Sequence, residues 1–465
     1  MSAWIETTIR SLAVASTLVV LTVMPATCIA DDDTKPPWRV GLANVQITPE
    51  EPIHMAGYAS RKKPSEGVLA DLYAKAMAIE DAAGQRAVLI TADVIGFRVL
   101  LAETICHDIT DKTGLKRHEI LLCPSHTHTG PMMGMIDPVR YGLPPDGLAR
   151  VHAYTKRLQR QIVDLAVRAL ADLKPAKLSW GIGTSNLVMN RREFTERGVE
   201  LAVNPRGYAD RSVPVLRVES PDGNLRAVVF GCACHNTTLT GEHYELSGDY
   251  AGFAQQHVQQ EHPGVQAMFM IGCGGDANPY PRGTVEAARQ HGRELGTEVC
   301  RVLSGELKPV GGPLRVEFDG VEAPLQPVPA REQVEQMAKG PSYIAYNGQR
   351  MLEALDNHQP LPTHHRVPVA VWQFGKDLTL VGLSGETVSE YVPLIEKAIG
   401  PRRLWIAGYC NDVFGYLPTA KILKEGGYET RGLFNEIGLF SVETEAAVVG
   451  KVRQLAQKAG RELPE

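Results

Sequence analysis

The chain has 465 residues, of which 44% are hydrophobic and 22% charged, and a formal net charge of −5. This length exceeds what one small core needs, and the composition is that of an ordinary globular protein, so one large domain or two fused ones are both open. The negative balance, with only short scattered basic runs such as Arg61-Lys62-Lys63 and Arg402-Arg403, argues against a nucleic-acid binder and for a neutral or small-molecule partner.

Arg10 precedes an apolar run from Leu12 to Val23, then Pro25 and small residues ending at Ala30, just before Asp31-Asp32-Asp33. This reads as a signal peptide over residues 1–30, cleaved after Ala30, which makes 31–465 a secreted or periplasmic chain. Its apolar core is short for a bilayer, and no later run is long enough, so no transmembrane segment is expected in the mature chain. A lipoprotein signal through Cys28 is disfavoured, because Pro25-Ala26-Thr27 lacks the aliphatic residue three positions before the cysteine. Without Cys28 an odd set remains (Cys106, Cys123, Cys232, Cys234, Cys273, Cys300 and Cys410), several of them inside apolar runs, and no disulfide is assigned.

Val40 to Pro49 alternates like an edge strand stopped by proline, and Met55-Ala56-Gly57-Tyr58 marks an irregular loop. Leu72–Ile79 and Ala87–Ala92 read as strands around a turn at Gly84, the second ending at Asp93. A short helix from Leu100 to Asp111 leads to Ile120–Pro124, a strand that delivers Ser125-His126-Thr127-His128-Thr129-Gly130-Pro131. In extended backbone, residues two apart share a side, so His126 and His128 can share a metal or divide metal binding and proton transfer between them. Taken alone, such a pair is more often an accident of surface or packing.

From Val151 the apolar positions Tyr154, Leu158, Ile162, Leu165, Ala169 and Leu173 step by threes and fours, which is an amphipathic helix closed by Pro175. Strands follow at Leu178–Gly183 and Val213–Glu219, around an irregular segment holding Asn190-Arg191-Arg192. Ala227–Ala233 ends in Cys234-His235-Asn236, and Ala267–Gly272 ends in Gly274-Gly275-Asp276-Ala277-Asn278-Pro279. A helix spans Ala288 to Leu303, a polar helical region Ala330 to Leu355, and strands Val367–Trp372 and Leu378–Leu383. Ser384-Gly385-Glu386 is expected to open a helix, and Arg403–Ala407 is a strand running into a loop with Tyr409 and Tyr416. With no internal repeat or linker, one large α/β domain is the economical reading: mixed β-sheets flanked by helices, with the site at the C-terminal ends of strands.

Asp93, His126 with His128, His235, Asp276, Glu386 and Tyr416 each lie just beyond an apolar strand-like run. Loops after strands of one sheet that run the same way meet in one crevice. Each residue also has a plain structural role: Glu386 in a helical first turn, Asp276 in a turn, Tyr416 in packing, His235 as an interior histidine. Zn2+ suits two or more imidazoles with a carboxylate.

The ordered set SHTHTGP, CHNTT, GGDANP, SGE and NDVFGYLPT, with the early ITP and GY elements, resembles the catalytic region of the neutral/alkaline non-lysosomal ceramidase family. The likeness spans essentially the whole mature chain. It implies a zinc hydrolase that cleaves an amide, with His126, His235, Glu386 and Tyr416 as metal ligands. His128 would sit beside the metal-activated water or the scissile group, and Arg191 would bind the substrate oxygen, joined by Asn278; Asn190, Asp276 and Tyr409 would face the substrate.

Two features depart from the family pattern. Asn278 stands where the family carries a serine with a catalytic part, and asparagine cannot serve as an oxygen nucleophile. The chain also ends soon after a helix at Val442–Ala459, where the family adds an immunoglobulin-like domain. The expected activity is hydrolysis of a carboxamide in a lipid or other N-acyl small molecule, with ceramide itself open. The alternatives are a metal-containing binding protein without turnover, and an ester or sugar-polymer hydrolase on the same scaffold.

Overall fold

A computed structural model describes residues 38–134, 142–340, 342–434 and 437–464. The expected leader, residues 1–30, lies outside them, as does the middle of the Met132–Asp146 loop.

The chain opens with β1 (Trp38–Gln46), β2 (Gly67–Val68), β3 (Tyr73–Asp81), β4 (Arg86–Ala92), α1 (Val99–Thr113), β5 (Ile120–Pro124) and α2 (Pro145–Ala171). Next come β6 (Lys174–Thr184), β7 (Val188–Asn190), β8 (Arg192–Thr195), β9 (Gly198–Leu201), β10 (Ser212–Glu219), β11 (Leu225–Cys232) and β12 (Glu245–Leu246). α3 (Asp249–Glu261), β13 (Gln266–Ile271), β14 (Ala277–Pro279), α4 (Val285–Leu303), β15 (Lys308–Val310) and β16 (Leu314–Pro324) follow. The last part holds α5 (Arg331–Met337), α6 (Ser342–Asp356), β17 (His364–Phe374), β18 (Leu378–Leu383), β19 (Glu386–Thr387) and α7 (Tyr391–Ile399). It closes with β20 (Leu404–Ala407), β21 (Tyr416–Leu417), α8 (Ala420–Glu425) and α9 (Thr444–Lys458).

Eight strands lie side by side in the order β13-β11-β10-β6-β1-β3-β4-β5, and β15 adds to β6 to make a nine-stranded sheet. Its neighbours are antiparallel except for the parallel pairs β11 with β13 and β4 with β5. A second sheet runs β16-β17-β18-β20, with β18 and β20 parallel.

The period of two along each strand divides the side chains between two cores. From the large sheet, Trp38, Val40, Met77, Ile79, Leu89 and Leu121 face Trp372, Phe374, Leu380 and Trp405 of the second sheet. Ala76, Val88 and Ile90 point the other way and are covered by α1 and α2 through Ile105, Val151, Leu158 and Ile162. Farther along that sheet, Val228, Phe230 and Phe269 pack on α3 and α4. The outer face of the second sheet, with Val369, Val371 and Val381, is covered by α7 and α9. The layers therefore run helix, sheet, sheet, helix, and strands buried on both faces read as the near-continuous apolar runs seen in the sequence.

Two expectations are corrected. β1 is an interior strand, paired with β3 on one side and β6 on the other; Pro49 lies beyond its last residue Gln46, removes no ladder donor and so does not confine it to an edge. Glu386 does not open a helix; it lies in β19, and the helix begins only at Tyr391. Glycine at 385, with φ of 75°, turns the chain sharply after β18, and a Cβ there would lie 2.5 Å from the Phe414 ring.

The loops after β4, β5, β11, β13, β18 and β20 are laced together by backbone hydrogen bonds. His126 N donates to Val94 O, His235 N to Ala277 O, Gly408 N to Ile271 O, and Tyr409 N to Gly385 O. This sewn edge is where the polar strand endings gather.

Candidate active site

His126 is placed by a left-handed backbone, φ 59°, immediately beyond β5, so the pair His126 and His128 does not converge by strand alternation. The chain turns there, and Thr127 then pairs with Asn236 in a parallel bridge that sets the two histidine loops side by side. His128 Nε2 comes to 3.1 Å from His126 Nε2, with the rings edge to face.

His126 Nδ1 faces Ile95 O at 2.5 Å, and His235 Nδ1 faces Gly274 O at 2.7 Å. A carbonyl only accepts, so both rings carry their proton on Nδ1 and turn the Nε2 lone pair inward. Those nitrogens lie 3.5 Å and 2.9 Å from Glu386 Oε2. Tyr416 is the direct cross-strand partner of Glu386 in the parallel β19–β21 pair, and its hydroxyl lies 3.5 Å from His235 Nε2. Lone pairs aimed at a carboxylate repel unless a cation sits between them. The spacings of 2.9 to 3.5 Å also match the donor separation of about 3.3 Å in a tetrahedral zinc site. The donor set therefore fits a divalent metal of borderline character.

His126, His128 and His235 each have a ring nitrogen within 4.8 Å of the others. His128 nonetheless differs from its neighbours: its Nδ1 is buried with no hydrogen-bond partner among the described residues, whereas theirs are fixed by carbonyls. Its ring is held by the Tyr58 ring at 5.0 Å and by the backbone of Gly57, where a Cβ would lie 2.5 Å from it. Burial, helped by His126 and His235, pushes the His128 pKa well below its usual value, which keeps the ring neutral. Burial and Arg191 bring His235 down to about 4. For Glu386 burial acts upward, but His126 and His235 in their protonated forms more than offset it, and the carboxyl is held well below its usual range when a positive charge is shared there.

Arg191 is buried beside this cluster. Its Nη2 donates to the Tyr416 hydroxyl at 3.0 Å and its Nη1 to Asn278 Oδ1 at 3.3 Å. Thr237 Oγ1 lies 3.2 Å from the same Asn278 oxygen. Arginine has only donors, so the amide oxygen must face it, and the Asn278 NH2 group is turned away from Arg191.

The three residues expected to face the substrate, Asn190, Asp276 and Tyr409, are hydrogen-bonded within the protein beside the cluster. Asn190 uses its amide on Tyr208 O, Asp276 and Arg192 N. Asp276 accepts from Ser389 N at 2.7 Å and Ser389 Oγ at 2.9 Å. Tyr409 is fully buried, with its ring 4.4 Å from the His126 ring and its hydroxyl 3.4 Å from His235 Nδ1. The physical reason is common to all three: backbone sewn this tightly leaves polar groups that must be paired inside. Asp93 likewise spends its carboxylate on Tyr73 N and Gln255, not on the histidines. Sequence reasoning missed Tyr428, stacked edge-on against Tyr416 at 5.4 Å, and Glu429, which binds both Arg191 and Arg192. The only signal nearby is the Gly426-Gly427 doublet, which marks a tight reversal but no chemistry.

Fold and site together define a mixed α/β protein with a buried His, Glu and Tyr cluster of metal-binding character. The profile of the neutral/alkaline non-lysosomal ceramidase N-terminal region matches residues 38–318, more than half of the chain. The chain belongs to that family. It is 26% identical over 234 residues to the neutral ceramidase of Pseudomonas aeruginosa, covering 48% of this chain and 34% of that protein. It is also 26% identical over 271 residues to neutral ceramidase A of Dictyostelium discoideum, covering 55% and 37% respectively. The match thus spans about a third of the length of these curated relatives. The crystal structure of the Pseudomonas aeruginosa enzyme superposes with a TM-score of 0.69 at 21% identity, over 92% of this chain and 76% of that one. A ceramidase complexed with C2 gives 0.72 at 21% identity, over 92% and 77%. These structures establish the shared fold. No described helix is long and apolar enough to cross a membrane.

Proposed function

We propose that this chain is a metal-dependent hydrolase that cleaves an N-acyl amide bond in a lipid or other acylated small molecule, with zinc as the metal. The observation that carries the reading is the convergence of two tautomer-fixed imidazoles on Glu386 and Tyr416, with Arg191 alongside. The relatives named above, neutral ceramidases, support an amide as the bond and a lipid as the substrate class.

His126, His235, Glu386 and Tyr416 would hold the ion, which when bound supplies an electrophile and an activated water near neutral pH. His128, neutral and with Nε2 turned to the cluster, accepts a proton from the attacking water and returns it to the leaving amine. Arg191 binds the carbonyl oxygen as it becomes negative, with its Nη1 steadied by Asn278 Oδ1; one well-placed donor of this kind contributes about 3 to 4 kcal/mol. Asn190, Asp276 and Tyr409 keep these groups in place.

The test is turnover by the purified chain on N-acyl lipids, N-acyl amino acids and esters, with and without chelator, beside His126→Ala. Chelator-sensitive amide cleavage that is lost in the variant supports the reading; unchanged zinc and unchanged hydrolysis in the variant would sink it. Asn278 favours a second reading, a zinc-containing binding protein, which predicts saturable ligand binding with no product. The leader is carried as a proposal too: residues 1–30 direct export, and the amino terminus of the exported protein should be Asp31.

A further inference from the structure

We infer that Glu429 is a positioning residue that aims the guanidinium of Arg191 into the site. The inference rests on the reading of Arg191 as the donor to the substrate carbonyl, and adds a residue which that reading does not use.

Glu429 lies in a single helical turn, Tyr428–Thr430, just after Gly426 and Gly427, whose φ values of 78° and 98° double the chain back toward the site. Its side chain is fully buried, and its two oxygens divide between neighbouring arginines: Oε1 accepts from Arg191 Nε at 3.0 Å, Oε2 from Arg192 Nη1 at 2.6 Å. The two bonds do different work. Arg192 also gives Nη2 to Glu425 Oε2 at 3.2 Å and to Gly426 O at 2.9 Å, so its fork is tied wholly to this loop. That pairing anchors the carboxylate.

Arg191 offers Glu429 only Nε, and its other edge points away, toward Tyr416 and Asn278. A guanidinium is planar and its donors form a rigid fork, so fixing Nε fixes the plane and the direction of Nη1 and Nη2. Glu429 thus converts a long flexible side chain into an oriented pair of donors at the wall of the cluster. It also balances the buried Arg191 charge, so that Arg191 need not swing toward Glu386 for a counter-ion.

The experiment is a double-mutant cycle with Glu429→Gln, Arg191→Met and the combination, in zinc-loaded full-length protein. Two readouts are taken: kcat and KM on a soluble N-acyl substrate, and calorimetric binding of octanoate, a carboxylate product that needs no turnover. We expect Glu429→Gln to lower kcat and weaken octanoate by about 10-fold each, with KM and zinc content little changed. In the Arg191→Met background the same change should add less than about 2-fold, because residues acting through one another are non-additive. Equal losses in both backgrounds, or a loss from Glu429→Gln where Arg191→Met has none, would overturn the positioning role. If Glu429→Gln does not fold, Glu429→Asp keeps the charge while withdrawing it from Arg191, and the same cycle decides. Absence of turnover with coupled octanoate binding would count against the hydrolase reading while upholding this one.

Discussion

Nε2 of His235 lies 2.9 Å from Oε2 of Glu386, although the two residues are 151 positions apart in the chain. Because His235 Nδ1–H donates to Gly274 O, the nitrogen facing the carboxylate carries a lone pair in the neutral ring. The contact is stable only with a cation or proton shared there, and so the site is arranged for a guest it does not itself provide.

The roles of the histidines should separate in a metal assay. His126→Ala, His235→Ala and Glu386→Gln should each reduce bound zinc to a small fraction of its wild-type level, measured by elemental analysis after desalting. His128→Ala should keep the zinc and lose about 10²- to 10⁴-fold in turnover, the range for a general acid–base group. Loss of zinc from the His128 variant would make it a ligand.

Metal removal should also lower stability. Two inward lone pairs and a carboxylate lose their shared cation on chelation, and binding to the folded state alone adds stability by mass action. Restoring zinc to 100 times its Kd should return about 2.7 kcal/mol, read from denaturant unfolding. Identical unfolding curves with and without chelator would contradict a preformed site.

Gly57→Ala should impair the proton-transfer group without touching the ligands. Position 57 has φ of 92°, and the added Cβ would fall 2.5 Å from the His128 ring, so ring or backbone must move. The expected result is a fall in kcat of about 10-fold or more with zinc content retained. Wild-type kinetics in this variant would show that the placement of His128 is not critical.

Asp276 should leave a signature in the pH dependence of stability. Burial lifts its carboxyl from 3.8 to about 6, against the opposing donors of Ser389. Between those values the folded state holds the proton and the unfolded state releases it, so stability declines as pH rises through this window. The decline is on the order of 3 kcal/mol for this group. Asp276→Asn should flatten the fall between pH 4 and 6 in unfolding titrations; an unaltered slope would assign it to other groups.

Much of this was readable in the linear chain. The apolar runs at Leu72–Ile79, Ala87–Ala92 and Ile120–Pro124, and the 3.6 period from Val151 to Ala169, announce their elements because burial on a strand or helix face imposes that spacing locally. His126, His235 and Glu386, which follow the apolar runs Ile120–Pro124, Ala227–Ala233 and Leu378–Leu383, stood out because an apolar strand that gives way to a polar side chain has reached the edge of its sheet; Tyr416 comes farther along the loop after Arg403–Ala407.

Other features depended on contacts between distant segments. Nothing near β1 shows that it lies between β6 and β3, since its β6 partner is chosen by packing across more than a hundred residues. Glu386 looked like a helix start because a glycine followed by an acid is ambiguous locally; its pairing with Tyr416 decided otherwise. Glu429 carried no motif, because its partners Arg191 and Arg192 lie 238 and 237 positions away. By itself, then, the sequence determined which apolar runs are strands and which polar residues follow them. Tertiary structure alone decided that His126 takes a left-handed turn, which ring nitrogens keep their lone pairs, and which carboxylate aims the arginine. Those depend on where a carbonyl or a counter-charge from a remote loop happens to stand.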